Sequence, residues 1–286
     1  MAIATVGRWA EVAGLLEDVC AQTYPPQSVA IAHHDAGDPQ PAGLTEIMRR
    51  CPIPIRVLVT PRGVSRGRNA AALALGDDID WLLFPNDTTR YEADFLERLA
   101  VRCTSPATVC AVQLVDREGP RNSLPAAGTP LTRRTAWGAI EPATAFRRYD
   151  FLAVGGFDVD IGSGADSPWQ AGEGTDLLLR LAQRENFSIL WVEDIAVHAT
   201  TEFAHLPVAE RRRKLRSYGR GAGYILRKWR YPLWYRLAHL LAAALMPLRN
   251  PSKFSLADGL ALLMGRIEGV LGRTFSRRTD HRAVVR

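Results

Sequence analysis

The chain has 286 residues, 47% of them apolar and 23% charged, an ordinary globular composition that excludes wholesale disorder. A chain of this size buries roughly 75% of the surface it exposes unfolded, so its core needs neither disulfide nor metal. The net charge of +6 hides a division, because residues 204–286 carry 18 Lys/Arg against 4 Asp/Glu while residues 1–203 carry 18 against 26. An acidic-leaning body with a basic tail points to an anionic partner: nucleic acid, phospholipid headgroups or a phosphorylated substrate.

Ala2 to Val6 reads as a first strand beginning almost at the initiator and, lacking a basic flank, does not read as a signal peptide. Trp9 to Gln22 places Val12, Leu15, Leu16 and Val19 at helical spacing, and Tyr24-Pro25-Pro26 stops it. Strands follow at Ser28–Ala32, Ile53–Val59 and Trp81–Phe84, with helical patterns at Leu44–Arg50 and Asn69–Leu75 between them. That alternation predicts βαβ units and a mostly parallel sheet flanked by helices.

From Glu118 to Thr144 the periodicity dissolves into Pro, Gly, Arg and Ser, as in a long loop. A glycine-rich stretch, a helix over Thr175–Arg184 and a strand over Ser188–Val192 come next. The tail predicts helices at Gly223–Trp229, Leu233–Leu245 and Leu256–Leu271. No run reaches the about 18 apolar residues of a spanning helix, and His239 and Pro247 interrupt the nearest one, Leu237–Leu248. Cysteines 20, 51, 103 and 110 form no CxxC pair, so free buried thiols in a reducing cytosol are expected.

Ligands of open α/β sheets bind beyond the carboxyl ends of the strands. The four strand ends here carry Thr5-Val6-Gly7-Arg8, His33-His34-Asp35 with Gly37, a polar loop from Gly63 through Ser65, Arg66, Gly67, Arg68 and Asn69, and Asn86-Asp87-Thr88-Thr89. Each alone is a common turn; together they favour a nucleotide or phosphate site. His33-His34 fits a half-exposed pair at a strand end better than a metal site.

That ordered set, with Gln22-Thr-Tyr-Pro-Pro, Gly155-Gly-Phe-Asp158 and Gly172-Glu-Gly-Thr-Asp176-Leu-Leu-Leu-Arg180, resembles the family 2 glycosyltransferases of the GT-A fold. The resemblance covers residues 2–203 and implies a Rossmann-like nucleotide-sugar half over about 1–115, an acceptor half over about 116–203, and inverting sugar transfer to a hydroxyl. It assigns donor contacts to Thr5, Gly7, Arg8, Asp35, Arg66, Arg68, Asn69, Asn86, Asp87 and Thr88, with Asp35 on the imide of the base. The family's paired acids match Glu173-Gly174, which makes Glu173 the first choice of general base and Asp176 the second. Its Asp-x-Asp motif stands here as Asn86-Asp87-Thr88. Either a divalent Mg or Mn ion sits on Asp87, with His198 as a further ligand, or Arg66, Arg68 or an arginine of the basic tail takes the charge of the leaving phosphate.

The resemblance implies a UDP-, dTDP- or GDP-linked sugar as donor and a hydroxyl of a lipid-linked or cell-surface precursor as the expected acceptor. The basic helical region, 204–286, mixes Arg211-Arg-Arg-Lys214 with Trp229, Tyr231, Trp234 and Tyr235. This suits an anionic membrane surface and a cytoplasmic protein peripheral at the inner face. Gly219, Gly221 and Gly223 mimic a phosphate loop, though no strand precedes them. Two other classes stay open: a nucleotide-sugar-binding homologue without catalysis, and a nucleic-acid-binding protein. No nucleic acid is expected, because the body leans acidic.

Overall fold

The computed structural model describes residues 1–34, 42–103, 106–200 and 206–275. The chain divides into two compact units, Met1–Val159 with Glu173–Glu202, and Asp160–Gly172 with Phe203–Arg286.

The first unit is the α/β body that the alternation predicts. Strands β1 (Ala2–Thr5), β2 (Val29–His33) and β3 (Ile55–Val59) form a parallel sheet in that order, with Ala2 opposite Ala30 and Ala30 opposite Arg56. Helix α1 (Trp9–Cys20) buries Trp9, Val12, Leu15, Leu16 and Val19, the row its spacing foretells. On the other face, Ala2, Ala30 and Ala32 meet Ala71 and Ala72 of α3 (Val64–Ala74). These small side chains let α3 lie close to the strands.

The second sheet is mixed. It runs β4 (Trp81–Leu83), β8 (Thr144–Arg147), β6 (Val109–Asp116), β9 (Ile189–Ala199), β5 (Thr89–Arg90), with β7 (Gly119–Pro120) on β6. Only β6 and β9 pair in parallel within it. Helices α2 (Ala42–Arg50), α4 (Phe95–Arg102), α5 (Arg148–Ala153) and α6 (Glu173–Leu181) complete the unit. Phe84, Phe146, Phe151 and Phe157 pack on one another between them.

The second unit is helical: α7 (Val208–Lys228), α8 (Leu233–Ala244), α9 (Met246–Arg249) and α10 (Leu256–Leu271). Ser255 and Asp258 form a reciprocal capping box on α10, and Gly272 in the left-handed region ends it. Helices α7 and α10 touch backbone to backbone. A β-carbon at Gly219 or Gly223 would meet α10, and one at Gly265 or Gly269 would meet α7.

Several expectations are corrected. The stretch expected to be a phosphate-type polar loop, residues 64–69, is the first two turns of α3, because Gly63 turns the chain at φ 129° and the helix starts straight after it. Gly219, Gly221 and Gly223 are buried helix positions where neighbouring backbone comes close, and no phosphate loop exists there. Helix α7 therefore begins fifteen residues before the predicted Gly223, since its polar, glycine-bearing start hid the periodicity. Residues 118–144 contain β7 and two 3-10 turns, Thr135–Gly138 and Glu141–Ala143. Cys20 and Cys51 are not free thiols: the ends of α1 and α2 bring their Cα atoms to 5.6 Å and the two are joined in a disulfide. Cys103 and Cys110 are free.

Candidate functional site

Three strand or helix ends of the first unit converge on one polar cluster. Thr5 closes β1, and Gly7 then adopts φ 84°, a conformation glycine takes without strain, so that the chain can turn into α1. Asp87 follows β4 and is almost fully buried. Its Oδ2 accepts hydrogen bonds from Thr5 Oγ1 and Arg8 Nε, each at 2.9 Å, and Arg8 Nη2 lies 2.5 Å from Oδ1. Arg8 grips this carboxylate from its exposed side, where close to half of its side chain meets solvent.

Arg90 ties the same loop to α1. Its guanidinium donates to the carbonyl oxygens of Asp87, Thr89 and Glu11 and pairs with the Glu11 carboxylate at 3.0 Å. Thr88 is buried beside it.

Arg68 is the second anchor. It projects from the second turn of α3, is buried, and lies over the Phe157 ring. Its guanidinium donates to Asn86 Oδ1 at 2.9 Å and meets Glu173 Oε1 at 3.4 Å. Residues 105 positions apart are thereby joined. Arg66, on the exposed side of the same helix, donates to the Arg62 carbonyl.

Glu173 opens α6 rather than preceding it, so the helix N-terminus lies at this carboxylate. The next residue explains the missing acid. Gly174 N–H donates to Glu141 Oε1 at 2.6 Å, and the Glu141 carboxylate fills the space where a side chain at 174 would stand. Two carboxylates therefore do face the start of α6, one from each end of a 33-residue separation. Glu141 was missed because it lies in an aperiodic stretch and no spacing rule connects it to position 174.

Asp176 has a different place. It is fully buried and accepts from Arg180 Nε at 2.8 Å, while Arg180 donates onward to the carbonyls of Val154 and Gly156. Asn69 spends both ends of its amide on the backbone of Phe157, each at 2.8 Å. These two residues hold the Gly155-Gly156-Phe157 loop, where Gly156 takes φ 69°.

His198 pairs across β5 and β9 with Arg90 in register, and its Nε2 lies 3.5 Å from Glu92. Among the described residues no group of three His, Cys, Asp or Glu side chains could hold a metal ion. A cation on Asp87 would compete with Arg8 for both carboxylate oxygens. Asp35 lies outside the described residues. His34, just before it, sits against α3 at Gly67 with Nδ1 3.3 Å from Thr60 Oγ1, and burial lowers its pKa below the usual histidine value. His33, expected half exposed, is buried edge-on against Trp9.

No protein-family model matches this chain, and no curated protein sequence does. Solved structures do resemble it. TarS of S. aureus, residues 1–349, in complex with UDP-GlcNAc superposes with a TM-score of 0.56 at 14% identity, covering 98% of this chain and 93% of that one. The same protein in complex with UDP gives 0.55 at 13% identity, covering 96% and 92%. A mycobacterial protein gives 0.51 at 11%, covering 78% and 72%. At this identity the likeness shows the fold alone, and the fold of this chain is the α/β fold of those structures.

Proposed function

We propose that this protein transfers a sugar from a nucleoside-diphosphate donor, UDP-, dTDP- or GDP-linked, to a hydroxyl acceptor with inversion at the anomeric carbon. The observation that carries the reading is Arg68, buried, joining Asn86 of the strand-end loop to Glu173 at the start of α6. It links the residues assigned to the donor with the carboxylate assigned to the acceptor. The ligands in the TarS complexes, UDP and UDP-GlcNAc, supply the donor class.

In this reading Glu173 takes the proton of the acceptor hydroxyl as its oxygen bonds to the anomeric carbon. The bond from that carbon to the phosphate oxygen breaks, and the nucleoside diphosphate leaves with the electron pair. Arg8, half exposed at the cluster, and Arg66 counter the charge that develops on it. Arg68 positions Glu173, and Glu141 positions the first turn of α6 by accepting the Gly174 N–H. The acceptor is a lipid-linked or cell-surface saccharide precursor, and the protein works peripherally at an anionic membrane. Among the described residues no helix is long and apolar enough to cross one.

The test is a panel of UDP-, GDP- and dTDP-sugars, with Mn²⁺ or with a chelator, read by thermal shift and by nucleotide release. A shift with one nucleotide class and release without added Mn²⁺ are expected. A shift without release for any donor would favour the homologue that binds but does not catalyse. No shift with any of them would remove the donor assignment.

A further inference from the structure

The second unit carries an apolar face that its own helices do not cover. On α8, Leu233, Leu237 and Leu241 stand at intervals of four and are 69, 54 and 59% exposed. On α10, Leu256, Leu260 and Met264 do the same at 70, 59 and 38%. The contacts of these helices fix where the two rows lie. Helix α10 turns Gly265 and Gly269 toward α7, and Gly259 and Arg266 toward α8. Arg266 donates to the His239 carbonyl, while Gly259 sits by Ala243 and Pro247, so α8 and α10 run antiparallel. At about 3.6 residues per turn, both leucine rows then fall on one side of the α8/α10 pair, the side turned away from α7.

The exposed charge of the helical stretch of this unit is mostly positive. Residues 206–275 hold 14 Lys/Arg and three acids, Glu210, Asp258 and Glu268. Asp258 and Glu268 are fully buried, the first held by Arg211 and Arg212, the second by Arg216 and Arg220. Glu210 is therefore the one exposed acid of the stretch. Arg227, Lys228, Arg230, Arg249 and Arg273 are all exposed, and Trp234 is 61% exposed beside the α8 row.

We infer that the α8/α10 face is a lipid-docking surface, which lies flat on an anionic membrane with both leucine rows in the headgroup–acyl boundary, held there by the attraction of the strongly cationic stretch to lipid phosphates. Leucine rows, a flanking tryptophan and a strongly cationic helical stretch are the chemistry of an interfacial helix pair. A second copy of the chain fits the face poorly, since it would set one strongly cationic helical stretch against another. The inference rests on the peripheral-membrane part of the proposed function and moves the contact from the Arg211–Lys214 cluster to the leucine rows. Two of those four basic residues are already committed to Asp258.

The experiment is flotation of the full chain with vesicles of phosphatidylcholine containing phosphatidylglycerol, and with phosphatidylcholine alone. The wild type is expected to float with the anionic vesicles, with a blue shift of tryptophan emission that Trp234→Phe removes. Leu237→Ser with Leu260→Ser, both exposed positions, should lower the partition constant tenfold or more with an unchanged melting curve. Leu237→Phe with Leu260→Phe should keep or raise it. Equal binding by wild type and the serine variant would overturn the face. No binding by the wild type would overturn the membrane reading itself. Concentration-dependent dimerisation abolished by the serine pair would assign the face to a second copy. Sugar transfer to a soluble acceptor, measured on the same variants, should not change, so failure of the docking face and failure of the transferase reading stay separable.

Discussion

The Glu141 carboxylate accepts the Gly174 N–H at 2.6 Å and stands in the volume that any larger residue at 174 would need. The two positions are therefore energetically coupled. Gly174→Ala alone should cost about 1 kcal/mol net, because the displaced carboxylate leaves a buried N–H unpaired, and this outweighs the gain in helix propensity. In a Glu141→Ala background the same change should instead stabilise by up to about 1 kcal/mol. Denaturant unfolding of the four proteins of this cycle measures the coupling. Additive effects would show that the contact is not formed.

Glu173 and Asp176 should separate chemistry from stability. Glu173→Gln keeps the shape and the pairing distance to Arg68 while removing basicity, so transfer should fall by roughly 10²–10⁴-fold with donor affinity held within a few-fold. Asp176→Asn should act on folding, since it strips a fully buried partner from Arg180 and costs roughly 1–3 kcal/mol. Its turnover per folded molecule should fall less than that of Glu173→Gln. The reverse ranking in single-turnover assays would move the base to Asp176.

Acid should weaken the helical unit in two steps. His239 is half-buried beside Arg266, and desolvation, with the nearby Arg266 charge, lowers its pKa from 6.5 to about 4. The unfolded chain thus takes up that proton first, and stability drops as pH falls from 6.5 toward 4. Glu268 is pushed up by burial, but Arg216, Arg220 and the Phe275 N–H outweigh that and bring it from 4.5 to about 2. Its contribution is complete above 4.5 and lost as pH falls through about 2. Far-UV melts across acid pH should show both windows. His239→Gln should remove the upper and Glu268→Gln the lower.

The disulfide makes a chemical prediction. Under denaturing, non-reducing conditions two of the four cysteines should react with a thiol reagent, Cys103 and Cys110. Reduction should destabilise the first unit, because the bond closes a loop of 31 residues, for which chain entropy gives about 3–4 kcal/mol. Four reactive thiols before reduction would refute it.

The body was legible because its signals are local. The apolar row of α1 and the short runs of β1, β2 and β3 appear in the structure within about two residues of their expected ends. Helix α3 was cut short because Ser65 and Gly67 read as loop residues, although Gly67 is there to let Ala4 and Ala32 approach. Much of the polar cluster was also legible, Thr5, Arg8, Arg68, Asn86 and Asp87 as strand-end residues and Glu173 through the family resemblance, and these six do meet in two linked groups. What sequence could not carry was long-range replacement. Glu141 standing in for a side chain at 174, Cys51 reaching Cys20, and buried acids consuming the tail's arginines depend on contacts between segments that share no periodicity.

The glycine rows of α7 and α10 bear on temperature. A seam made of backbone against backbone, clasped by Arg216 and Arg220 on Glu268, removes little hydrocarbon from water. Heat capacity of unfolding scales with the apolar surface exposed, so this seam adds little to the curvature of the stability profile. Hydrophobic cores loosen on cooling; the α7/α10 pair keeps its hold there, and because Glu268 is fully buried its ion pairs are little screened by added salt as well.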